Sequence, residues 1–188
     1  MQRRLALVIA LGTLAAAGPA VLLASGSDGR HDQETGQATA LRAPESIRAE
    51  HAEIHEALVE LTRAPGTVGA ASKELASTLH PHFAREEEIA LPPLGLLAPL
   101  AEGRTPPGRD EAAAMSDTLR TEMPRMLREH TAIRAATDRL ARAARDERHA
   151  GAEAFAAKLA LHARTEEEVL YPAAILVGDV FRARRARR

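Results

Sequence analysis

The 188-residue chain contains no cysteine and no tryptophan, and its aromatic residues other than histidine are three phenylalanines and one tyrosine. Without cysteine the protein forms no disulfides, thiolate metal sites or iron–sulfur clusters, and it has no cysteine nucleophile. Histidine and carboxylate side chains are therefore the ligands that remain for a metal ion. With so few aromatic rings to stack on bases, nucleic-acid binding is not expected.

Runs of β-branched residues are also missing, and the apolar residues are mostly alanine and leucine. Both residues favour helices, so the composition predicts an all-α fold. The formal net charge is only −1, but arginines are concentrated near the two ends of the chain. The residues between those ends are acidic overall, and the last seven, 182–188, form a basic tail.

Residues 1–26 combine Arg3 and Arg4 with an uncharged apolar run from Leu5 to Ala24. This pattern is typical of a signal peptide, and the run is also long enough for an apolar membrane-anchoring helix. Arginines on its N-terminal flank predict export, to the periplasm or another extracytoplasmic location, with the domain either anchored or released by cleavage. The membrane is a partner only if this segment is retained. Residues 27–43 are polar and predict a flexible linker.

One motif occurs twice, eighty residues apart, and supplies a histidine with a glutamate four residues later. The two copies are His82-Phe-Ala-Arg-Glu86-Glu-Glu and His162-Ala-Arg-Thr-Glu166-Glu-Glu, and each is followed by a proline, Pro92 or Pro172. Each copy also follows a Glu-His-x-x-Ile element, which contributes His51 and His130. Residues four apart lie on one face of a helix, so two such helices can hold a transition metal between them.

These histidines and glutamates fall on apolar stripes, with residue spacings of three and four, in four predicted helices. The stripes are Ile47, His51, Ile54, Leu58 and Leu61; Leu75, Leu79, His82, Glu86 and Ile89; Leu119, Met123, Met126, His130, Ile133, Thr137 and Leu140; and Phe155, Leu159, His162, Glu166, Val169 and Ala173. We predict an antiparallel up-down-up-down four-helix bundle over residues 44–181, with the stripes inward and the N-terminal apolar helix outside it. Pro81 and Pro124, inside the second and third patterns, predict a kink or a helix start.

Burying four imidazoles and two carboxylates in a bundle core is costly unless they are paired or bind metal. The predicted ligands are His51, His82, Glu86, His130, His162 and Glu166. They exceed the needs of one tetrahedral zinc ion and suit two metals bridged by carboxylates, with two iron ions preferred over manganese. The alternative is a hydrogen-bonded polar layer without metal.

The motifs resemble those of the hemerythrin-like, or HHE cation-binding, domains over roughly residues 44–176. The resemblance implies a four-helix bundle with a non-haem di-iron centre, the same six ligands, and Glu86 and Glu166 as bridges between the irons. Oxygen-carrying hemerythrins have a second histidine in the third helix where this chain has Arg134. In the fourth helix they have an aspartate where this chain has Glu167.

For three further side chains the sequence leaves two alternative roles open. His55 holds the position in the first half that Arg134 holds in the second, and it is either an additional metal ligand or a surface residue. His80 lies off its stripe and is expected in solvent or behind the ligands. Tyr171, five residues after Glu166, either covers the site or packs in the core.

Three functions remain open. The favoured one is a metal-binding protein of the cell envelope that binds oxygen, nitric oxide or a related small ligand, or holds iron. A di-iron enzyme of the oxidase or peroxidase type is the second, although neither main motif has the Glu-x-x-His order of ferritin-type di-iron proteins. The third is a metal-free helical scaffold.

Overall fold

The structure is a computed structural model that describes residues 41–187. The predictions for residues 1–40, including the signal peptide or anchor and most of the linker, lie outside the described residues. Within residues 41–187 the secondary structure is helical and contains no strand, which confirms the all-α prediction. None of the helices in this part combines the length and apolar character needed to cross a membrane.

Long helices account for most of the described chain. The α-helices are α1 (Glu45–Thr62), α2 (Gly66–Arg85), α3 (Leu97–Ala101), α4 (Arg109–Asp146), α5 (Ala150–Thr165) and α6 (Tyr171–Ala186). A π-helical turn, Glu86–Ala90, follows α2 and is succeeded by a 3₁₀ turn, Pro92–Leu96. A second π-helical turn, Glu166–Leu170, joins α5 to α6. Counting α5 and α6 as one continuous rod, four long rods pack together as a helical bundle.

Two apolar clusters form the main core, and the polar motif residues separate them along every rod. On α2, Leu79 belongs to the first cluster, whereas Ile89 beyond His82 and Glu86 belongs to the second. On α4 the order is reversed, with Met126 of the second cluster before His130 and Ile133 of the first cluster after it. The bundle therefore holds a buried polar layer between two apolar layers.

The predicted stripes are correct for most positions, but Val169 is wrong. Its side chain is 54% exposed, whereas Tyr171, two residues later, is fully buried. Tyr171 follows a π-helical turn, in which its N–H bonds the Glu166 carbonyl five residues earlier. This wider turn places Tyr171 on the same inward face as Glu166.

The two internal prolines lie within continuous helices, Pro81 in α2 and Pro124 in α4, so neither marks a helix start. At the other end of the domain, α6 continues to Ala186, into the segment predicted as a basic tail. Arg182 of this segment pairs with Asp117 of α4 at 2.6 Å. The first arginine of the tail therefore packs against the bundle.

Candidate metal centre

The polar layer contains all six residues that the sequence predicts as metal ligands. His51 comes from α1, His82 from α2, His130 from α4 and His162 from α5, while Glu86 and Glu166 open the two π-helical turns. Each of the six side chains is at most 3% exposed. Residues from four rods thus meet in the centre of the bundle, shielded from bulk water.

The six side chains form two overlapping groups, which we call the first and second half-sites. The first half-site comprises His82, Glu86, His130 and Glu166, and the second comprises His51, His162 and Glu166. Within each group, one nitrogen or oxygen atom per residue lies within 4.8 Å of the others. Glu166 belongs to both half-sites, and Glu86 Oε2 reaches to 3.9 Å from Nε2 of His51 in the second.

Every histidine of the layer turns its Nε2 atom toward the two central carboxylates. The Nε2 atom of His82 lies 3.3 Å from Glu86. Those of His51, His130 and His162 lie 3.3, 3.5 and 3.0 Å from Glu166. Four imidazole nitrogens therefore converge on two shared carboxylates.

The opposite ring nitrogen, Nδ1, faces an outer glutamate in all four cases. The pairs are His51 with Glu87 at 3.2 Å, His82 with Glu129 at 2.8 Å, His130 with Glu167 at 2.8 Å, and His162 with Glu50 at 3.4 Å. A carboxylate can only accept, so each Nδ1 carries a proton that points at its outer glutamate, which leaves Nε2 as the nitrogen available to a metal. Such carboxylate–histidine pairs orient metal-binding imidazoles and raise their basicity.

This role of the four outer glutamates is not among the predictions made from the sequence. The signal was present in the repeat itself. Glu50 and Glu129 are the glutamates of the two Glu-His elements, and Glu87 and Glu167 are the middle glutamates of the two Glu-Glu-Glu runs. Only the packing of the rods shows which histidine each glutamate faces.

Two buried polar atoms of the layer lack a hydrogen-bond partner, which indicates that the site can accept a cation. Among the described residues, four buried side-chain atoms have no hydrogen-bond partner, and Glu86 Oε2 and His162 Nε2 are two of them. The His162 nitrogen lies 3.0 Å from Glu166 but makes no hydrogen bond there. Buried unpaired polar atoms are costly, and metal ions bound in the two half-sites would satisfy them. The donor set of imidazoles and carboxylates suits iron or manganese.

The electrostatics of the layer favour bound positive charge. Burial alone lowers the pKa of His82, but the carboxylates of Glu86, Glu129 and Glu166 outweigh it and raise that pKa to about 9. Burial raises the pKa of Glu86, yet the hydrogen bonds from His130 and His82 bring it well below its usual range. Both shifts show that the layer stabilises ionised carboxylates and the cations beside them.

Tyr171 is buried within the first half-site. Its hydroxyl donates to Glu86 Oε1 and lies 3.0 Å from His130 Nε2 and 3.5 Å from His82 Nε2. Burial and the charge of Glu86 raise the pKa of its phenol above the usual value. The tyrosine therefore contributes an oxygen atom to the polar layer.

His55 lies outside both half-sites. It is exposed, and its ring lies 4.6 Å from that of His80. These two histidines line a surface cleft of about 410 Å³ that reaches inward to His51 and Phe83. Phe83 stacks on His51 with ring centroids 4.1 Å apart. The cleft therefore approaches the second half-site.

Comparison with known proteins places this sequence in a family. The family model described as the hemerythrin HHE cation binding domain matches residues 42–174. No curated protein and no solved structure gives a significant match. The matched range contains the six residues of the layer, the four outer glutamates and Tyr171. The chain therefore belongs to the hemerythrin HHE cation-binding domain family.

Proposed function

We propose that this domain is an antiparallel up-down-up-down bundle that holds two iron ions and binds a small ligand such as oxygen or nitric oxide. The proposed metal ligands are His51, His82, Glu86, His130, His162 and Glu166. The observation that carries the proposal is the convergence of four Nε2 atoms on two carboxylates that serve both half-sites. One metal ion cannot use all of these donors, whereas a pair bridged by the carboxylates can.

The donor types favour iron, with manganese as the alternative. Imidazole and carboxylate together bind both metals, and the chain contains no thiolate that would favour zinc or copper. Bound iron with a free coordination position supplies an electron-rich centre to which oxygen or nitric oxide can bind.

The protein's own residues prepare this centre for a small ligand. The outer glutamates hold each imidazole in one tautomer, with the nitrogen lone pair pointing inward. The apolar layers above and below exclude bulk water. Six protein ligands, two of them bridging, do not complete the coordination of two six-coordinate metals. A position for an exogenous ligand therefore remains.

The cellular setting is a separate part of the proposal. Arg3 and Arg4 followed by an apolar run support export of the domain, with residues 1–26 acting as a signal peptide or membrane anchor. The domain then functions outside the cytoplasm, tethered by the linker if the segment is retained.

Elemental analysis of the full-length protein after anaerobic loading with ferrous iron tests the metal centre. We expect about two iron ions per chain and a change in the visible spectrum on adding azide or nitric oxide. Iron at trace level only, together with a stable fold, would refute the metal centre and favour the helical scaffold. Two bound irons without a response to either ligand would refute the ligand-binding role alone.

A further inference from the structure

The two copies of the repeat differ in polarity at a buried position next to the proposed metal centre. Tyr171 follows Glu166 by five residues and precedes Pro172, whereas the equivalent residue after Glu86 is Leu91. Both side chains are buried, with Tyr171 0% and Leu91 1% exposed. An internal duplication has thus placed a polar oxygen at one copy of a position and a hydrocarbon at the other.

The phenol oxygen of Tyr171 lies among the donor atoms of the first half-site. It is 3.0 Å from His130 Nε2 and 3.5 Å from His82 Nε2, and it contacts Glu86 Oε1. Glu86 Oε1 in turn lies 3.3 Å from His82 Nε2 and 3.8 Å from His130 Nε2. Donor atoms bound about 2.1 Å from one metal lie roughly 3.0 to 3.4 Å apart at right or tetrahedral angles. Of its two distances to imidazole nitrogens, 3.0 Å falls within this range and 3.5 Å lies just above it, so the phenol oxygen lies beside the same proposed metal position as His130 and His82.

The outer glutamates of the first half-site are less exposed than those of the second, and arginines hold them in place. Glu129 and Glu167 of the first half-site are 24% and 26% exposed. Arg125 donates to Glu129 at 2.7 Å, and Arg134 contacts Glu167. Arg134 stands where the oxygen-carrying hemerythrins have their second histidine, and here it holds an outer glutamate in place.

The second half-site is more open. Its outer glutamates, Glu87 and Glu50, are 54% and 42% exposed, and neither has an arginine partner among the described residues. Phe83 lies against both of its histidines, with ring centroids 4.1 Å from His51 and 5.6 Å from His162. The unpaired Nε2 atom of His162 belongs to this half-site. The surface cleft reaches it through His51 and Phe83.

We propose that Tyr171 is a seventh protein ligand, bound as the phenolate to the metal of the first half-site, and that small ligands bind at the second. This inference rests on the proposed metal pair and specifies how its two members differ. As with other acidic ligands, the phenol O–H bond would break as the oxygen binds the metal, and the proton would be released to the solvent. The first metal would then have more protein donors than the second, so more of the free coordination positions would lie on the side that the cleft approaches.

Resonance Raman spectroscopy of the ferric-loaded full-length protein tests the ligand. Tyr171 is the chain's single tyrosine, so any tyrosinate–iron signal belongs to it. We expect a phenolate-to-iron absorption band in the visible range and phenolate ring modes that shift when the protein is made with ring-deuterated tyrosine. If two irons are bound and these modes are absent, the proposal is wrong while the metal centre stands. If no iron binds, the proposed function fails first.

The variant Tyr171→Phe removes only the phenol oxygen and should retain iron while losing the band and the modes. Leu91→Met, at the equivalent position of the first copy, is the matched control and should leave the spectrum unchanged. Azide titration then locates the free positions, because Tyr171→Phe should bind one more azide per iron pair than the wild type. An unchanged stoichiometry in a folded, iron-loaded variant would overturn the assignment of the free position to the second half-site.

Discussion

The Nδ1 atom of His82 on α2 lies 2.8 Å from the carboxylate of Glu129 on α4. Glu129 directly precedes His130, which belongs to the same half-site as His82. The other Glu-His element repeats this arrangement, because Glu50 faces His162 and its neighbour His51 shares that half-site. Each Glu-His pair thus supplies one proposed ligand and orients the proposed ligand opposite it.

Removing the orienting carboxylate should weaken metal binding without removing a ligand. We expect Glu129→Ala to lower iron affinity by about 10- to 100-fold, since loss of such a partner frees the tautomer and ring orientation of His82. Glu129→Gln should lose less, because its amide oxygen still accepts from Nδ1. Competition with a chelator of known affinity measures both. The control Glu153→Ala changes an exposed glutamate of α5, and an affinity loss as large as that of Glu129→Ala would contradict the orienting role.

Removing a proposed ligand should have a larger effect. His82→Ala and His162→Ala are each expected to lose at least one of the two irons per chain, because each removes an Nε2 donor from a different half-site. Metal binding stabilises the fold, so the iron-dependent rise in melting temperature should shrink in both variants. Elemental analysis and thermal unfolding measure the two effects.

His55→Ala serves as the control for the ligand variants, since His55 is exposed and lies outside both half-sites. We expect it to bind iron as the wild type does. Loss of iron from His55→Ala to the same extent as from His82→Ala would show that the centre includes His55 and would refute its exclusion from the ligands.

Close packing between α4 and α6 depends on a glycine. A Cβ atom added at Gly178 would lie 2.4 Å from Cβ of Ser116. Gly178→Ala should therefore lower the free energy of unfolding by about 1 to 3 kcal/mol, as overpacking of a well-packed core does. In Gly151→Ala the nearest atom is 3.6 Å away, so this variant should be neutral or slightly stabilising. Denaturant unfolding compares the two, and equal stability would show that the helices separate at little cost.

Export can be tested independently of the metal centre. A fusion of residues 1–45 to a reporter that is active only outside the cytoplasm should be active, as Arg3, Arg4 and the apolar run predict. The matched control replaces two residues of the apolar run by aspartate, which should abolish the reporter activity. A wild-type fusion that remains inactive while being produced at a normal level would place the domain in the cytoplasm.

The sequence by itself determined the helical class and the six residues of the polar layer. Helix periodicity is a local property, and the spacing from His82 to Glu86 puts both on one face whatever the helix packs against. Because the same spacing recurs at His162 and Glu166, few other residues were candidates for metal ligands. Burial of all six then follows, because the apolar residues on the same stripes must face the core.

Tertiary structure alone decided how those residues combine. The pairing of His82 with His130, and the choice of outer glutamate for each histidine, depend on contacts between rods, which local spacing does not encode. The π-helical turn at Glu166 placed Tyr171 on the inward face, and Val169 lies exposed against the regular periodicity. That placement brought a phenol oxygen into one half-site, while Leu91 gave the other no such oxygen. The two half-sites are built from one repeated motif, but they differ in their donor atoms because of how the bundle packs.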